Sequence, residues 1–180
     1  MITLVLGGAK SGKSLYAENI AIQSQKELIY IATAQTYDNE MNQRIVLHQR
    51  RRAEQKVNWH TIEEPIALAN LLKPLNKKAQ ADNNYLILID CLTLWLSNLL
   101  CKLDQEQQQL EIDAFLDLLS HSQMDIILVS NETGLGIVPM NQLSRQFIDL
   151  AGSLHQKIAL LADHVILTVA GLPLALKGVL

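Results

Sequence analysis

The chain has 180 residues, 49% of them hydrophobic and 18% charged, with 15 Lys plus Arg against 18 Asp plus Glu. That length suits one compact domain spanning residues 1–180, and so apolar a chain with a net charge of only −3 is not intrinsically disordered. The balance gives no reason to expect nucleic acid or an anionic membrane as a partner, and an aromatic content of 4% argues against a base-stacking platform.

Taken in chain order, short aliphatic runs alternate with longer segments of helical period. Residues 2–6 form a continuous aliphatic run ending in glycines, the signature of a strand buried on both faces. A helix is expected over 13–24, a second buried strand over 28–32, and a strongly polar helix over 38–54 with a narrow stripe of Met41, Ile45 and Val46. A short strand follows at 57–62. Pro65 fits the first turn of a helix through Leu72, which Pro74 should end. Residues 76–84 look like a linker, and 85–89 is a buried strand that stops at Asp90.

Two helices are expected at 91–103 and 105–120, then a strand at 126–130 and a glycine-containing loop at 131–139. Apolar residues spaced by three or four, from Met140 through Leu161, predict one long amphipathic helix over 140–162. Residues 165–169 read as the last strand, and the apolar tail 170–176 as cover for the core or for a subunit interface. Such alternation implies parallel strands joined by crossover helices, with both sheet faces covered.

Cys91 and Cys101 do not form a disulfide framework and read as two small buried hydrophobes in a reducing compartment. Neither stands in a metal-binding spacing. The first residues lack a basic leader, and the apolar stretch 85–101 is broken by Asp90, Ser97 and Asn98, so neither a signal peptide nor a membrane span is expected. A cytoplasmic protein follows.

Gly7-Gly8-Ala9-Lys10-Ser11-Gly12-Lys13-Ser14 matches G-x-x-x-x-G-K-[ST], and it lies between a strand and a helix as a phosphate loop requires. Its backbone N–H groups would cradle phosphate at a helix N-terminus. Lys13 would reach the β- and γ-phosphates, and the Ser14 hydroxyl would ligate Mg²⁺. The expected fold class is therefore α/β and P-loop NTPase-like, a mostly parallel open sheet with helices on both faces, forming a single nucleotide-binding catalytic domain.

Asp90, at a strand's carboxyl end, is the candidate second Mg²⁺ ligand; its alternative is a helix cap. Glu132 occupies an equivalent strand end and is open to two readings, positioning a nucleophile or lining the loop. Arg44, His48, Arg51 and Arg52 share one helical face, with Arg50 and Lys56 adding charge. Alone this would be a solvated face. Beside a triphosphate, guanidinium groups suit phosphate oxygens, and a neutral imidazole is a competent nucleophile toward an α-phosphate.

These blocks, together with Tyr30-Ile31-Ala32-Thr33-Ala34, Asp38-Asn39-Glu40-Met41, Arg44-Ile45-Val46-Leu47-His48, Trp59-His60-Thr61-Ile62-Glu63, Asp90-Cys91-Leu92-Thr93 and Asn131-Glu132-Thr133-Gly134-Leu135-Gly136-Ile137-Val138-Pro139, resemble the bifunctional adenosylcobinamide kinase / adenosylcobinamide-phosphate guanylyltransferase family of cobalamin biosynthesis. The resemblance covers nearly the whole chain. It implies phosphorylation of adenosylcobinamide from ATP or GTP, then transfer of GMP from GTP through a guanylyl group on His48, giving adenosylcobinamide-GDP. By matching position it implies nucleotide contacts from Gly7, Gly8, Ala9, Lys10, Ser11, Gly12, Lys13, Ser14, Ala32, Thr33, Ala34, Gln49, Arg50, Arg51, Arg52, Glu63 and Asp90. It also implies Mg²⁺ as cofactor, GTP and ATP as substrates, a corrinoid as the small-molecule partner, and a homo-oligomer, the family likeness suggesting a trimer.

The sequence departs from the family in three places: Lys10 stands where Arg is frequent, His155 stands where the long helix usually carries Asn, and the run Arg50-Arg51-Arg52 is more basic than the usual element after the nucleophile. The role of His155 is therefore open. Trp59 and Trp95 read as packing residues, and His60, His121 and His164 as bland. A P-loop kinase of another small molecule is the alternative function. A guanine-nucleotide switch is disfavoured because no Asn-Lys-x-Asp motif occurs.

Charge is unevenly spread. Residues 1–90 carry 11 basic and 9 acidic side chains, the remainder 4 and 9. The basic excess thus falls in the half that holds the expected anion site.

Overall fold

The computed structural model describes residues 1–35, 46, 50, 52–54 and 57–179. Among these, the strands are β1 (Ile2–Gly7), β2 (Glu27–Ala32), β3 (Trp59–Glu63), β4 (Tyr85–Asp90), β5 (Asp125–Asn131), β6 (His164–Val169) and β7 (Leu172–Lys177). The helices are α1 (Lys13–Gln23), α2 (Leu68–Ala79), α3 (Leu92–Lys102), α4 (Gln105–Ser120) and α5 (Gln142–Leu161). Val46, Arg50 and Arg52, Ala53 and Glu54 are helical as well, within the segment expected as the polar helix; the rest of that segment lies outside the described residues.

The sheet runs in the order β3-β2-β4-β5-β1-β6-β7, all parallel except the last pair. This is the mostly parallel α/β sheet that the strand–helix alternation predicts. The pleat explains why the central strands are aliphatic throughout. Successive side chains alternate faces, and both faces are covered. Leu4, Leu6, Ile87, Ile89, Ile126 and Leu128 point to one side, where α2, α3, α4 and α5 bring Leu72, Trp95, Phe115 and Ile158. Val5, Leu86, Leu88, Ile127 and Val129 point to the other, against Ala17 and Ala21 of α1. The smallness of those alanines lets α1 approach closely beneath the phosphate loop.

Three expectations need correction. Pro74 does not end the second helix; α2 starts at Leu68 and continues through Pro74 to Ala79. Pro74 and Asn70 are both exposed, so the carbonyl left without its helical donor faces water, while Leu68, Leu72, Leu75 and Ala79 keep one face on the core. Packing thus outweighs the local break, and the linker-like stretch begins as helix. The strand at 164–169 is not the last, since the tail turns back as β7. Cys101 is exposed near the end of α3, whereas Cys91 is buried, and both are free thiols.

Helix ends follow local chemistry. The Asp104 carboxylate accepts the Gln107 N–H at 2.9 Å and the Gln107 side chain accepts the Asp104 N–H at 3.1 Å, a reciprocal capping box for α4. Asp104→Ala should cost about 1 kcal/mol, read as a fall in the denaturant midpoint with unchanged slope. Asn141 caps α5 by accepting the Ser144 N–H at 3.1 Å, which sets its start two residues after the expected Met140. Among the described residues, no helix is long and apolar enough to cross a membrane.

Candidate nucleotide-binding and transfer site

The sheet register assembles the candidate residues at the carboxyl ends of the strands. Ala32 pairs with Glu63 on one side and with Asp90 on the other, Asp90 is level with Val129, and Gly7 pairs with Asn131. Four strand ends therefore present Glu63, Ala32, Asp90 and Gly7 along one rim, where α/β sheets bind ligands.

From Gly7 the chain leaves β1 and turns before α1. Ser11 N–H donates to the Gly8 carbonyl at 3.2 Å, and Gly12, with φ of 96°, takes a left-handed conformation that a side chain would strain. Gly8, Ala9 and Lys10 are exposed, while Ser11 is buried and its hydroxyl pairs with the Thr168 hydroxyl at 3.1 Å. The Ser11 carbonyl also accepts the Gly171 N–H at 2.9 Å, so the β6–β7 turn braces the loop from behind.

The Lys13 amine donates to the Gly8 carbonyl at 3.2 Å, folded over the loop it serves. Burial lowers its pKa, while the nearby Cys91 thiol and Asp90 carboxylate act in the opposite sense. Ser14 follows in the first turn of α1.

Asp90 is not the helix cap. Cys91 occupies the N-cap of α3 without a side-chain capping bond, its Sγ instead lying 3.2 Å from the Thr93 hydroxyl, and Asp90 Oδ2 accepts the Tyr30 hydroxyl at 3.1 Å. Burial pushes the Cys91 thiol up to about 11, with the neighbouring Asp90 charge adding to it, so the thiol is protonated and inert at neutral pH. Ser14 and Asp90 together match what Mg²⁺ asks of a phosphate-loop site, one hydroxyl and one carboxylate with phosphates and water completing the shell. Among the described residues there is no cluster of three or more His, Cys, Asp or Glu side chains, so an all-protein cage is not offered.

Thr33 is wholly buried and serves the scaffold. Its hydroxyl donates to the Cys91 carbonyl at 2.8 Å and accepts the Cys91 N–H at 2.8 Å, while its carbonyl accepts from Asn98 at 2.8 Å. These bonds lock the end of β2 to the β4–α3 junction, with Ala32 and Ala34 on either side. Glu63 ends β3 and is exposed.

Of the basic helix, Arg50 is exposed and Arg52 is buried. The Arg52 guanidinium lies 3.6 Å above the Tyr30 ring centroid, a desolvated cation–π contact worth about 2 kcal/mol. Its Nη1 has no hydrogen-bond partner among the described residues. Burial and the Asp90 charge push the Tyr30 hydroxyl well above its ordinary pKa, partly opposed by Arg52, so it remains a donor. Arg52, Tyr30 and Asp90 thus form one continuous contact from the basic helix to the rim. His48, Gln49 and Arg51, with Arg44, lie outside the described residues.

Sequence reasoning missed two features. Glu18, on α1, is fully buried rather than on a solvated face. His155 is buried too, its Nε2 paired with the Ser130 hydroxyl at 2.7 Å and its Nδ1 3.7 Å from Glu132. The only signal in the sequence was His155 standing where Asn is usual. Trp59 and Trp95 are packing residues, edge-on to Tyr30 and against Phe115 respectively.

Comparison with known proteins identifies the family. The family model described as cobinamide kinase / cobinamide phosphate guanyltransferase matches residues 3–176. The bifunctional adenosylcobalamin biosynthesis protein CobP of Pseudomonas aeruginosa is 49% identical over 178 residues, 99% of this chain and 98% of the relative. The protein CobU of Escherichia coli K12, described in the same words, is 34% identical, covering 98% of this chain and all of the relative. Among solved structures, the assembled ATPase EscN of the enteropathogenic E. coli type III secretion system superposes with a TM-score of 0.57 at 11% identity, over 94% of this chain and 43% of EscN. A Pyrococcus horikoshii OT3 protein, PH0250, gives 0.57 at 9% identity over 99% and 87%. At such identities the likeness is one of fold alone. With its family model matched from β1 to β7 and close relatives aligned end to end, the chain belongs to the cobinamide kinase / cobinamide phosphate guanyltransferase family of enzymes.

Proposed function

We propose that this chain phosphorylates adenosylcobinamide with ATP or GTP, and then transfers GMP from GTP to adenosylcobinamide phosphate through a guanylyl group on His48, giving adenosylcobinamide-GDP. The observation that carries the reading is a braced phosphate loop whose Lys13 lies near the Asp90 carboxylate, in a chain whose Arg44-Ile45-Val46-Leu47-His48 block resembles that of the family.

In the kinase step, the loop's N–H groups and the Lys13 amine hold the β- and γ-phosphates, and the hydroxyl of the acceptor displaces the nucleoside diphosphate. Ser14 and Asp90 would hold a Mg²⁺ ion, whose charge would offset that of the phosphates when it is bound. In the transfer step, a ring nitrogen of His48 attacks the α-phosphorus, the P–N bond forms, and the α–β bridge breaks to release pyrophosphate. Arg50, Arg51 and Arg52 are suited to charge on the transferring group, with Arg52 anchored on Tyr30. Gln49, Ala32, Ala34 and Glu63 would meet the nucleoside.

Self-association into a homo-oligomer, a trimer by family likeness, belongs to the same reading. It is supported by the row of exposed apolar residues Leu135, Ile137, Val138 and Met140 after β5. A cytoplasmic setting fits two free thiols.

Incubation of the purified chain with adenosylcobinamide, ATP, GTP and Mg²⁺ tests the proposal. Adenosylcobinamide phosphate should appear first and adenosylcobinamide-GDP with pyrophosphate after it. Phosphorylation alone, with no GDP conjugate, would leave only a small-molecule kinase.

A further inference from the structure

A cleft of about 360 Å³ opens between the turn after β5 and one face of α5, lined by Glu132, Gly134, Asp149, Gly152, His155 and Gln156 among others. It adjoins the phosphate loop, because the Glu132 N–H donates to the carbonyl of Gly7 at 3.0 Å. Among the described residues no Lys or Arg lines it, and two carboxylates do. Such a lining repels phosphate and suits an acceptor without anionic groups that carries hydroxyl and amide donors.

The Glu132 carboxylate is held from both sides. Oε1 accepts the Gly134 N–H at 2.7 Å, and Oε2 faces His155 Nδ1 at 3.7 Å. His155 is only 6% exposed, and its Nε2 is bound to the fully buried Ser130 hydroxyl at 2.7 Å. If Ser130 donates to Nε2, the ring proton sits on Nδ1, aimed at the carboxylate; the other tautomer would set a lone pair against it. Burial lowers the His155 pKa, while the Glu132 carboxylate acts in the opposite sense. Nδ1 has no hydrogen-bond partner among the described residues, and a buried donor in that state favours any shift of Glu132 toward it.

We propose that this cleft receives the alcohol arm of the kinase acceptor, that the Glu132 carboxylate takes the hydroxyl proton, and that His155 is the positioning residue that aims it. The inference rests on the kinase half of the proposed function. The acceptor oxygen bonds to the γ-phosphorus as the β–γ bridge breaks. The bond's electron pair leaves on the nucleoside diphosphate, and the proton passes to Glu132 and then to water.

The test uses the purified full-length chain with adenosylcobinamide, γ-labelled ATP and Mg²⁺, with guanylyl labelling from α-labelled GTP measured in parallel. Glu132→Gln should lower kinase kcat by about 100-fold with a change of less than about threefold in acceptor KM, so that the ratio of kinase rate to labelling rate falls at least ~30-fold. His155→Leu should lower kcat by about tenfold, and His155→Asn, whose amide can place a donor near the Nδ1 position, should recover most of that loss. Glu132→Gln turning over within threefold of the parent would overturn the proposal, as would parallel loss of both activities. His155→Asn as slow as His155→Leu would remove His155 from the positioning role. A parent chain that does not phosphorylate adenosylcobinamide would instead refute the proposed function itself.

Discussion

Lys13→Ala should lower kcat/KM for phosphoryl transfer by about 10³-fold, roughly 4 kcal/mol, in line with loss of one preorganised charged donor. The amine spans the loop and bonds the Gly8 carbonyl at 3.2 Å, and it is half-buried. It is therefore partly desolvated before phosphate arrives, and the exchange of a carbonyl for a phosphate oxygen costs little reorganisation. Lys13→Arg should restore little, since a planar fork does not occupy the place of a compact ammonium. The melting temperature should stay within about 2 °C, because the native bond lost is one partly exposed contact. Steady-state kinetics within threefold of the parent would remove the phosphate loop from catalysis.

Gly7→Ala should act through the fold. A Cβ at Gly7 would lie 2.4 Å from both the Ser11 and Thr168 hydroxyl oxygens and 2.7 Å from the Thr168 carbonyl oxygen. The hydroxyls can rotate, at the cost of the Ser11–Thr168 contact and the Thr168 bond to the Leu6 carbonyl at 2.9 Å. The backbone carbonyl cannot move without separating β6 from β1. Overpacking plus a lost buried hydrogen bond amounts to about 3 kcal/mol, a fall in melting temperature of about 9 °C for a chain of this length. Weaker nucleotide binding should accompany it. Gly8→Ala is the control: no atom stands within 4 Å of its Cβ position, and its melting temperature should change by no more than about 2 °C. Equal melting temperatures for Gly7→Ala and the parent would contradict the packing at the loop's base.

Much of this architecture is legible in the residues because the strongest signals are local. Five aliphatic runs flanked by helical segments lead to a parallel sheet, and a phosphate loop carries its own spacing. The edge hairpin was not legible. β7 is largely exposed and contains Pro173, and its two-residue turn is Ala170-Gly171 with φ of 51° and 81°. A turn that needs positive φ at both positions is usually announced by Asn-Gly or Asp-Gly, and Ala170 hides it. Pro173 is tolerated because the strand is at the edge. Pro74 misleads for the opposite reason, as a local break overruled by the apolar face around it.

At the site, Asp90 and the loop could be read directly, since each ends or begins an obvious element. The Ser130–His155–Glu132 contact could not. Its members are separated by up to 25 positions and meet only because α5 packs beside the end of β5. The burial of Arg52 over Tyr30 was equally hidden, because an arginine among polar neighbours resembles a solvated one until a ring is placed beneath it. Net charge was too coarse to find an anion site, whereas its division between the two halves of the chain pointed to it.

The central claim is a covalent transfer through His48. Purified parent and His48→Ala proteins are incubated with α-labelled GTP and Mg²⁺, denatured, and the protein-bound label is counted after acid and after alkali. A phosphoramidate predicts label on the parent that survives alkali and is lost in acid, and no label on His48→Ala. Equal labelling of the two proteins would contradict the account.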